Sequence, residues 1–372
     1  MKLLETPVYK SNILLRFFSY LFGVKNNRVT MLAFRDTVSG NTKAMYEFIK
    51  ERYPEYQVKW AFQDEKKVPE TIEKANDYFV LSDLSGLAFL ASSKFIFTDT
   101  SFPGNLHKNK NQICFQMWHG DRGFKKVQYE AFPDKIFYDE KYCDYAVCGS
   151  HYAERKFLSA FKMKENQMLQ FGCPRNDLLF EFSGRSSTVR SFYGIPADSV
   201  LVLYAPTLRE KNRNTSVKVP FDYKRILAAL EKRYNKPVYF LARAHKANLG
   251  IEKEDYQYYI DASGYPDMAD ILLECQVLIT DYSSSAGDFI LTDKQVILFI
   301  PEKDDYTKND RSLVFEIKES PFLVARNEED IVNFVGLSDE EIKSNNKAIQ
   351  NFYGCYETGK ARQKIVDFMK TL

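Results

Sequence analysis

Histidine and tryptophan are scarce in this sequence, four and two residues among 372, so chemistry that needs an imidazole has very few candidates. Cysteine is sparse as well. Its six thiols (Cys114, Cys143, Cys148, Cys173, Cys275, Cys355) fall mostly within apolar runs, with no C-x-x-C pair and no metal-like grouping with histidine. That excludes a zinc-ribbon or disulfide scaffold and predicts reduced core thiols in a cytoplasmic setting. The chain has no G-x-x-x-x-G-K-[ST], no G-x-G-x-x-G, and no Asp-x-Asp to hold a divalent metal on a nucleotide diphosphate. No metal site and no required cofactor are therefore expected, although Mg2+ can still stimulate. Charge on a phosphate leaving group must then be met by backbone dipoles and cationic side chains. A net charge of only +2 argues against the strongly basic surface that wraps nucleic acid.

What is present is the composition of a folded globular chain, 45% hydrophobic and 27% charged, at a length that predicts two domains. The positive charge is concentrated at the start, where Lys2, Lys10, Arg16, Lys25 and Arg28 face a single acid, Glu5. In the same stretch Ile13, Leu14, Phe17, Phe18, Leu21 and Phe22 recur at the i, i+4 spacing of an apolar helix face. That run is too short to span a bilayer, Arg16 interrupts it, and no small-residue cleavage site follows. Residues 1–28 are expected to form an amphipathic segment that either lies on an anionic membrane surface or packs on the first domain.

From Val29 onward, short apolar runs alternate with helical segments (VTMLAF, NTKAMYEFIKERY, QVKWAF, LSGLAFLASS, KFIFTDT), the pattern of a parallel sheet covered by helices. ICFQMWHG, YAVCGS and LQFGCPRND extend the series to about residue 180, the polar FSGRSSTVRS reads as a linker, and a second series runs from SVLVLYAPT to QVILFI. The fold class is α/β, with two Rossmann-like doubly wound domains facing a cleft, over residues 29–182 and 190–354. Residues 355–372 should form a terminal helix that can cross back to the first domain.

In such sheets ligands bind beyond the carboxyl ends of the strands, so the polar residues that follow each apolar run are the candidates. They are His119; Arg175, Asn176 and Asp177; Thr207 with Arg209; Arg243 with His245; and Asp281 with Ser283 and Ser284. His119, between Trp118 and Gly120, can accept a proton from a hydroxyl near neutral pH, or it can be a structural histidine beside an indole. Lys125 and Lys126 behind it would hold an anion or be solvated. Arg243 and Lys246 around His245 suit a diphosphate or make a solvated basic edge. The segment TDYSSSAGDF, between a strand and a helix, offers free N–H groups to a phosphate, or else its serines are N-caps.

Taken in order, WHG with a downstream KK, GCPRND, YAPTLR, RAH and DILLECQVLITDYSSSAGDF resemble the CDP-glycerol glycerophosphotransferases of teichoic acid and capsule synthesis, over roughly residues 110–315. The resemblance implies a GT-B-like arrangement. It matches His119 to the histidine of the WHG motif and His245 to a second essential histidine. It also matches Asp281, Tyr282, Ser283 and Ser284 to the donor-binding DYSS segment, Arg209 to the arginine after the P-T pair, and Arg311 to one facing the donor phosphates. Three departures stand out: Asp121, Arg122 and Gly123 where the family has Thr-Pro-Leu, Lys246 where it has proline, and Ser312 where it has glycine.

The implied reaction moves a polyol phosphate from CDP-glycerol, or secondarily CDP-ribitol, to a hydroxyl of a lipid-linked saccharide or polyol-phosphate chain, releasing CMP. The implied place is the cytoplasmic face of a bacterial membrane, with the enzyme peripheral and an anionic surface, rather than nucleic acid, as its partner. A GT-B glycosyltransferase that releases a nucleoside diphosphate is the alternative enzyme class, and a non-catalytic lectin-like module the alternative outside enzymes.

Overall fold

A computed structural model describes residues 7–32, 37–69, 72, 76–180, 188–209, 213–245, 247–252, 254–301 and 312–372. The chain forms two compact units. One comprises Met1–His119, Val127–Asp177 and Tyr356–Leu372, and the other Gly120–Lys126 and Leu178–Cys355.

The first unit is built on a seven-stranded parallel sheet of β1 (Lys25–Leu32), β2 (Gln57–Phe62), β3 (Tyr78–Val80), β4 (Ser93–Thr98), β5 (Ile113–Gln116), β6 (Tyr145–Val147) and β7 (Met168–Leu169). Their order is β3-β2-β1-β4-β5-β6-β7. Runs such as Phe95-Ile96-Phe97 in β4 are buried whole, as a sheet covered on both faces requires. On one face lie Met45, Trp60, Phe97 and Phe115, closed by Ile365, Val366 and Met369 of the C-terminal helix Ala361–Met369. On the other lie Leu32, Ile96, Cys114 and Phe157, together with Leu15 of the first helix, α1 (Pro7–Phe22). Two further helices matter for the site and the surface, α2 (Gly40–Arg52) after β1 and α3 (Leu84–Ser92) before β4.

The second unit has a six-stranded parallel sheet of β8 (Val200–Ala205), β9 (Val238–Ala242), β10 (Tyr259–Asp261), β11 (Val277–Thr280), β12 (Gln295–Phe299) and β13 (Val324–Ala325). The order β10-β9-β8-β11-β12-β13 repeats the arrangement of the first six strands, so each unit has its topological switch point where its first and fourth strands pair. All six residues of β8 are buried. Asp222 and Ser338 begin two of the covering helices by accepting from the backbone N–H groups of Lys224 and Glu341.

The expected linker is in part a helix, Thr188–Tyr193; the Glu274 carboxylate accepts from the N–H groups of Val189 (2.9 Å) and Arg190 (3.3 Å) and ties this turn to the second unit. Residues 182–187 of that stretch lie outside the described residues. Among the described residues, no helix is long and apolar enough to cross a membrane. All six cysteines are free thiols, five of them buried.

Candidate active site

His119 follows β5 and is exposed at the carboxyl end of the first sheet. Its backbone N–H donates to the carbonyl of Asp99 (3.0 Å), and its ring Nδ1 lies 2.7 Å from the same oxygen. A carbonyl can only accept, so Nδ1 carries a proton, and in the neutral ring the lone pair is on Nε2. Trp118 adopts φ +30; its indole lies tilted against the His119 ring, with ring centroids 4.2 Å apart, and meets Phe161 edge-on at 4.9 Å. The tight turn is held by Asn41, whose Nδ2 donates to the carbonyls of Met117 (2.8 Å) and Trp118 (3.0 Å). Asn41 Oδ1 accepts from the Arg175 N–H at 3.1 Å. Thus the turn carrying His119 is fixed by the start of α2 and the end of β4, the two elements flanking the switch point.

Asp99 itself is buried. One carboxyl oxygen accepts from Thr42 Oγ1 (3.2 Å), and the other, Oδ1, has no hydrogen-bond partner. Burial raises its pKa to about 6 against the opposing pull of the Thr42 hydrogen bonds and the Arg175 charge. Gly40, at φ +69, is the residue that can approach it: a Cβ there would sit 3.1 Å from Asp99 Oδ2. Neither Asn41, Thr42 nor Asp99 was among the candidates from the sequence; the polar Asp99 after the apolar run of β4 was the one available signal.

The other first-unit candidates divide. Asp177 accepts from the N–H groups of Ala361 and Arg362 (2.9 and 2.8 Å) and pairs with Arg362 Nε at 3.1 Å, so it begins the C-terminal helix. Asn176 Nδ2 donates to Glu357 at 2.8 Å. These two side chains hold the returning C-terminal segment; of the Arg175–Asp177 trio, Arg175 remains beside the His119 turn.

Gly120, Lys125 and Lys126, expected on the first domain with His119, belong instead to the second unit. Lys126 N–H donates to the Ser312 carbonyl (3.0 Å), Val314 N–H to the Phe124 carbonyl (2.8 Å), and Phe124 packs against Phe315 and Phe322. The anchor of the excursion is Arg122, fully buried. Its Nε donates to the Gly287 carbonyl (2.7 Å), and its two terminal nitrogens pair with Asp121 and Asp288, each at 3.1 Å. Gly287 has no room for a side chain, since a Cβ would fall 2.4 Å from Arg122 Cβ.

In the second unit the switch point is occupied by Asp281, at the end of β11. Its Oδ1 accepts from the N–H groups of Thr207 (2.8 Å) and Tyr282 (2.7 Å), and its Oδ2 pairs with Arg209 at 2.9 Å. Arg209 also donates to the Thr207 carbonyl (3.1 Å) and lies over the Tyr282 ring. Asp281 therefore aims the guanidinium and joins the ends of β8 and β11. Ser283 accepts from Ser285 N–H (3.3 Å) and shares a hydrogen bond with the Ser285 hydroxyl (2.8 Å). Ser284 occupies the N-cap position of the helix Ser285–Phe289, yet its hydroxyl makes no capping bond and has no partner among the described residues.

His245 is exposed just beyond β9, with Nδ1 accepting from Ala247 N–H at 3.1 Å. Arg243, expected beside it as a phosphate ligand, is buried, and its Nη1 is spent on the carbonyls of Ala262 (2.9 Å) and Tyr265 (2.7 Å). The strand-end arginine reaches into the turn after β10, where the Ala262 carbonyl also accepts from the Tyr265 N–H at 3.2 Å, instead of toward solvent. Its role here is to hold the turn that carries His245. Arg311 and Lys246 lie outside the described residues.

Two parallel sheets of Rossmann order, with a histidine turn at the end of one and an arginine–aspartate pair at the switch point of the other, define a GT-B-like fold class. Within that class the assignment is specific: residues 13–370 match the model of the CDP-Glycerol:Poly(glycerophosphate) glycerophosphotransferase family, and the chain belongs to it. The teichoic acid poly(glycerol phosphate) polymerase of Bacillus subtilis (strain 168) is 26% identical over 98% of this chain and 51% of its own length. The teichoic acid poly(ribitol-phosphate) polymerase of Bacillus spizizenii (strain ATCC 23059 / NRRL B-14472 / W23) is 26% identical over 97% of this chain and 59% of its own. The chain thus spans about half the length of these curated relatives. A solved structure of the wall teichoic acid polymerase TagF shares the fold, with a TM-score of 0.79 at 22% identity over 97% of this chain and 94% of that one.

Proposed function

We propose that this chain transfers a polyol phosphate, glycerol phosphate first and ribitol phosphate second, from a CDP-linked donor to a hydroxyl of a membrane-linked acceptor. The reading is supported by family membership and, above all, by the His119 turn, in which the Asp99 carbonyl fixes the tautomer that leaves a basic nitrogen. The acceptor oxygen attacks the phosphorus bearing the polyol and its proton passes to His119 Nε2. The bond from that phosphorus to the oxygen bridging to CMP breaks, and CMP departs with the electron pair. On the donor side, Arg209, held by Asp281, and the serines after β11 meet the diphosphate charge, with His245 as a second group on it.

No dedicated metal is part of this reading, because the chain has no Asp-x-Asp and carries cations at its strand ends; Mg2+ can act by binding the free donor. The acceptor is a lipid-linked saccharide or polyol-phosphate chain, and α1 brings the enzyme to the cytoplasmic face of a bacterial membrane; Lys25 and Arg28, expected in the same amphipathic segment, belong instead to β1. The test is a panel of CDP-glycerol, CDP-ribitol and nucleotide sugars, scored for released nucleotide with and without acceptor. Acceptor-dependent CMP from a CDP-polyol is expected. Release of a nucleoside diphosphate from a nucleotide sugar would establish a glycosyltransferase instead.

A further inference from the structure

The first unit carries a basic surface cavity beside α1, and we propose that it seats the phosphate of an anionic lipid headgroup while the outer apolar face of α1 lies in the membrane interface. The inference rests on the membrane-surface reading above and deepens it by naming a headgroup site.

α1 is apolar on two sides. Inward, Leu15 is fully buried and Ser19 Oγ donates to the Ala91 carbonyl of α3 at 3.1 Å. Leu14 and Phe18 pack on the same cluster as Leu106, Cys143 and Tyr142. Outward, Ile13, Phe17, Tyr20, Leu21 and Phe22 are between 48% and 91% exposed. Five large apolar side chains on one exposed helical segment are an interaction surface, where scattered single ones would need no explanation.

The cavity, about 560 Å³, lies between the Leu106–Gln112 loop and the short helix Asp139–Tyr142, and is lined chiefly by His107, Lys108, Lys110, Lys141 and Tyr142. It shares the hydrophobic cluster of α1 through Tyr142, whose ring meets Phe102 at 4.9 Å. Arg16 projects from α1 close enough to act on His107: after burial, the charges of Arg16, Lys141 and Lys108 push its imidazole below the usual range. Lys108 is already occupied, pairing with Asp144 (2.9 Å) and donating to the Gln112 carbonyl (2.8 Å). Among the described residues, Arg16, Lys110 and Lys141 have no carboxylate partner.

Two cations without a carboxylate partner, Lys110 and Lys141, line the cavity, and Arg16 of the helix with the exposed apolar face acts on its His107. A soluble phosphate would use the cations and leave the apolar face in water; an anionic lipid uses both, with acyl chains under Phe17 and Leu21 and the headgroup phosphate between Lys110, Lys141 and Arg16.

The test is sedimentation of the full chain with phosphatidylglycerol or phosphatidylcholine vesicles at low ionic strength. Two double variants are compared, Lys110→Gln with Lys141→Gln, and Phe17→Ser with Leu21→Ser, each checked for an unchanged thermal midpoint. Each basic residue near the surface is worth roughly fivefold in partitioning, so the lysine variant should lose about twenty-fivefold on phosphatidylglycerol. It should release CMP from CDP-glycerol with a soluble acceptor at the wild-type rate.

Wild-type binding to phosphatidylglycerol by a lysine variant overturns the headgroup site. If the serine variant alone loses binding, the membrane reading stands and only the headgroup site falls. Equal binding of wild type to phosphatidylcholine removes the anionic specificity and overturns the proposal. Inorganic phosphate that binds the cavity at matched ionic strength without displacing vesicles would assign a soluble anion instead.

Discussion

Arg122 offers the sharpest test of how the second unit is held together. Its guanidinium is fully buried between Asp121 and Asp288, themselves 2% and 6% exposed, and closes the Gly287 carbonyl. Arg122→Met removes the cation and leaves two buried carboxylates and a carbonyl facing an apolar chain. Breaking a buried pair from one side costs about 3–5 kcal/mol, because the partner charge is stranded. A domain has about 5–15 kcal/mol in all, so the second unit's transition should move far toward lower urea. Arg122→Lys should recover little, since one ammonium cannot reach three acceptors set for a planar fork. Asp288→Asn alone should cost less, because Asp121 still neutralises the cation. Urea melts followed by a probe confined to the second unit measure each loss. A loss below about 1 kcal/mol for Arg122→Met would refute the argument, because it would mean that the carboxylates are solvated or protonated once the cation is gone.

His119→Ala should lower kcat by about 10²–10⁴ with donor affinity nearly unchanged, measured by calorimetry with CDP-glycerol, whereas His245→Ala should also weaken donor binding. Asp99→Asn keeps the backbone carbonyl that orients His119 and should spare most of the activity. Because the Asp99 pKa is raised to about 6, the folded state holds its proton more tightly than the unfolded chain, and stability falls as pH rises from about 4 to 6. Asp99→Asn should therefore flatten that part of the stability profile and stabilise the first unit by up to about 3 kcal/mol above pH 7, read from melts across pH. Chelator should lower transfer only modestly; complete loss restored by Mg2+ alone would show that a dedicated metal carries the leaving-group charge.

The alternation of apolar runs made the two parallel sheets legible, because strands buried on both faces are written as continuous hydrophobic stretches such as Val200–Ala205. The strand-end rule then picked out His119, Arg209 and Asp281 as candidates, and the structure has them at the carboxyl ends of strands. It could not find Asn41 or Thr42, which act from a helix start in another part of the chain, with a spacing that carries no signal. Charged residues were the hardest to place. Arg122 stood out in the sequence only as a departure from the family pattern, and Arg243 as a diphosphate ligand or part of a solvated edge, yet both are buried, because carboxylates or carbonyls distant in sequence meet them in the fold. The same blindness hid the excursion of Gly120–Lys126 into the second unit. For α1 the sequence posed core packing against surface exposure as alternatives, and the helix has a face for each.

The most direct measurement is a rapid-quench comparison of wild type and His119→Ala, with CDP-glycerol and a lipid-linked acceptor, following CMP and acceptor extension in the same samples. The account predicts one CMP per polyol phosphate added, with both slowed in step by about 10²–10⁴ in the variant. CMP release and extension within about threefold of wild type in His119→Ala, or CMP formed without extension at the wild-type rate, would contradict it.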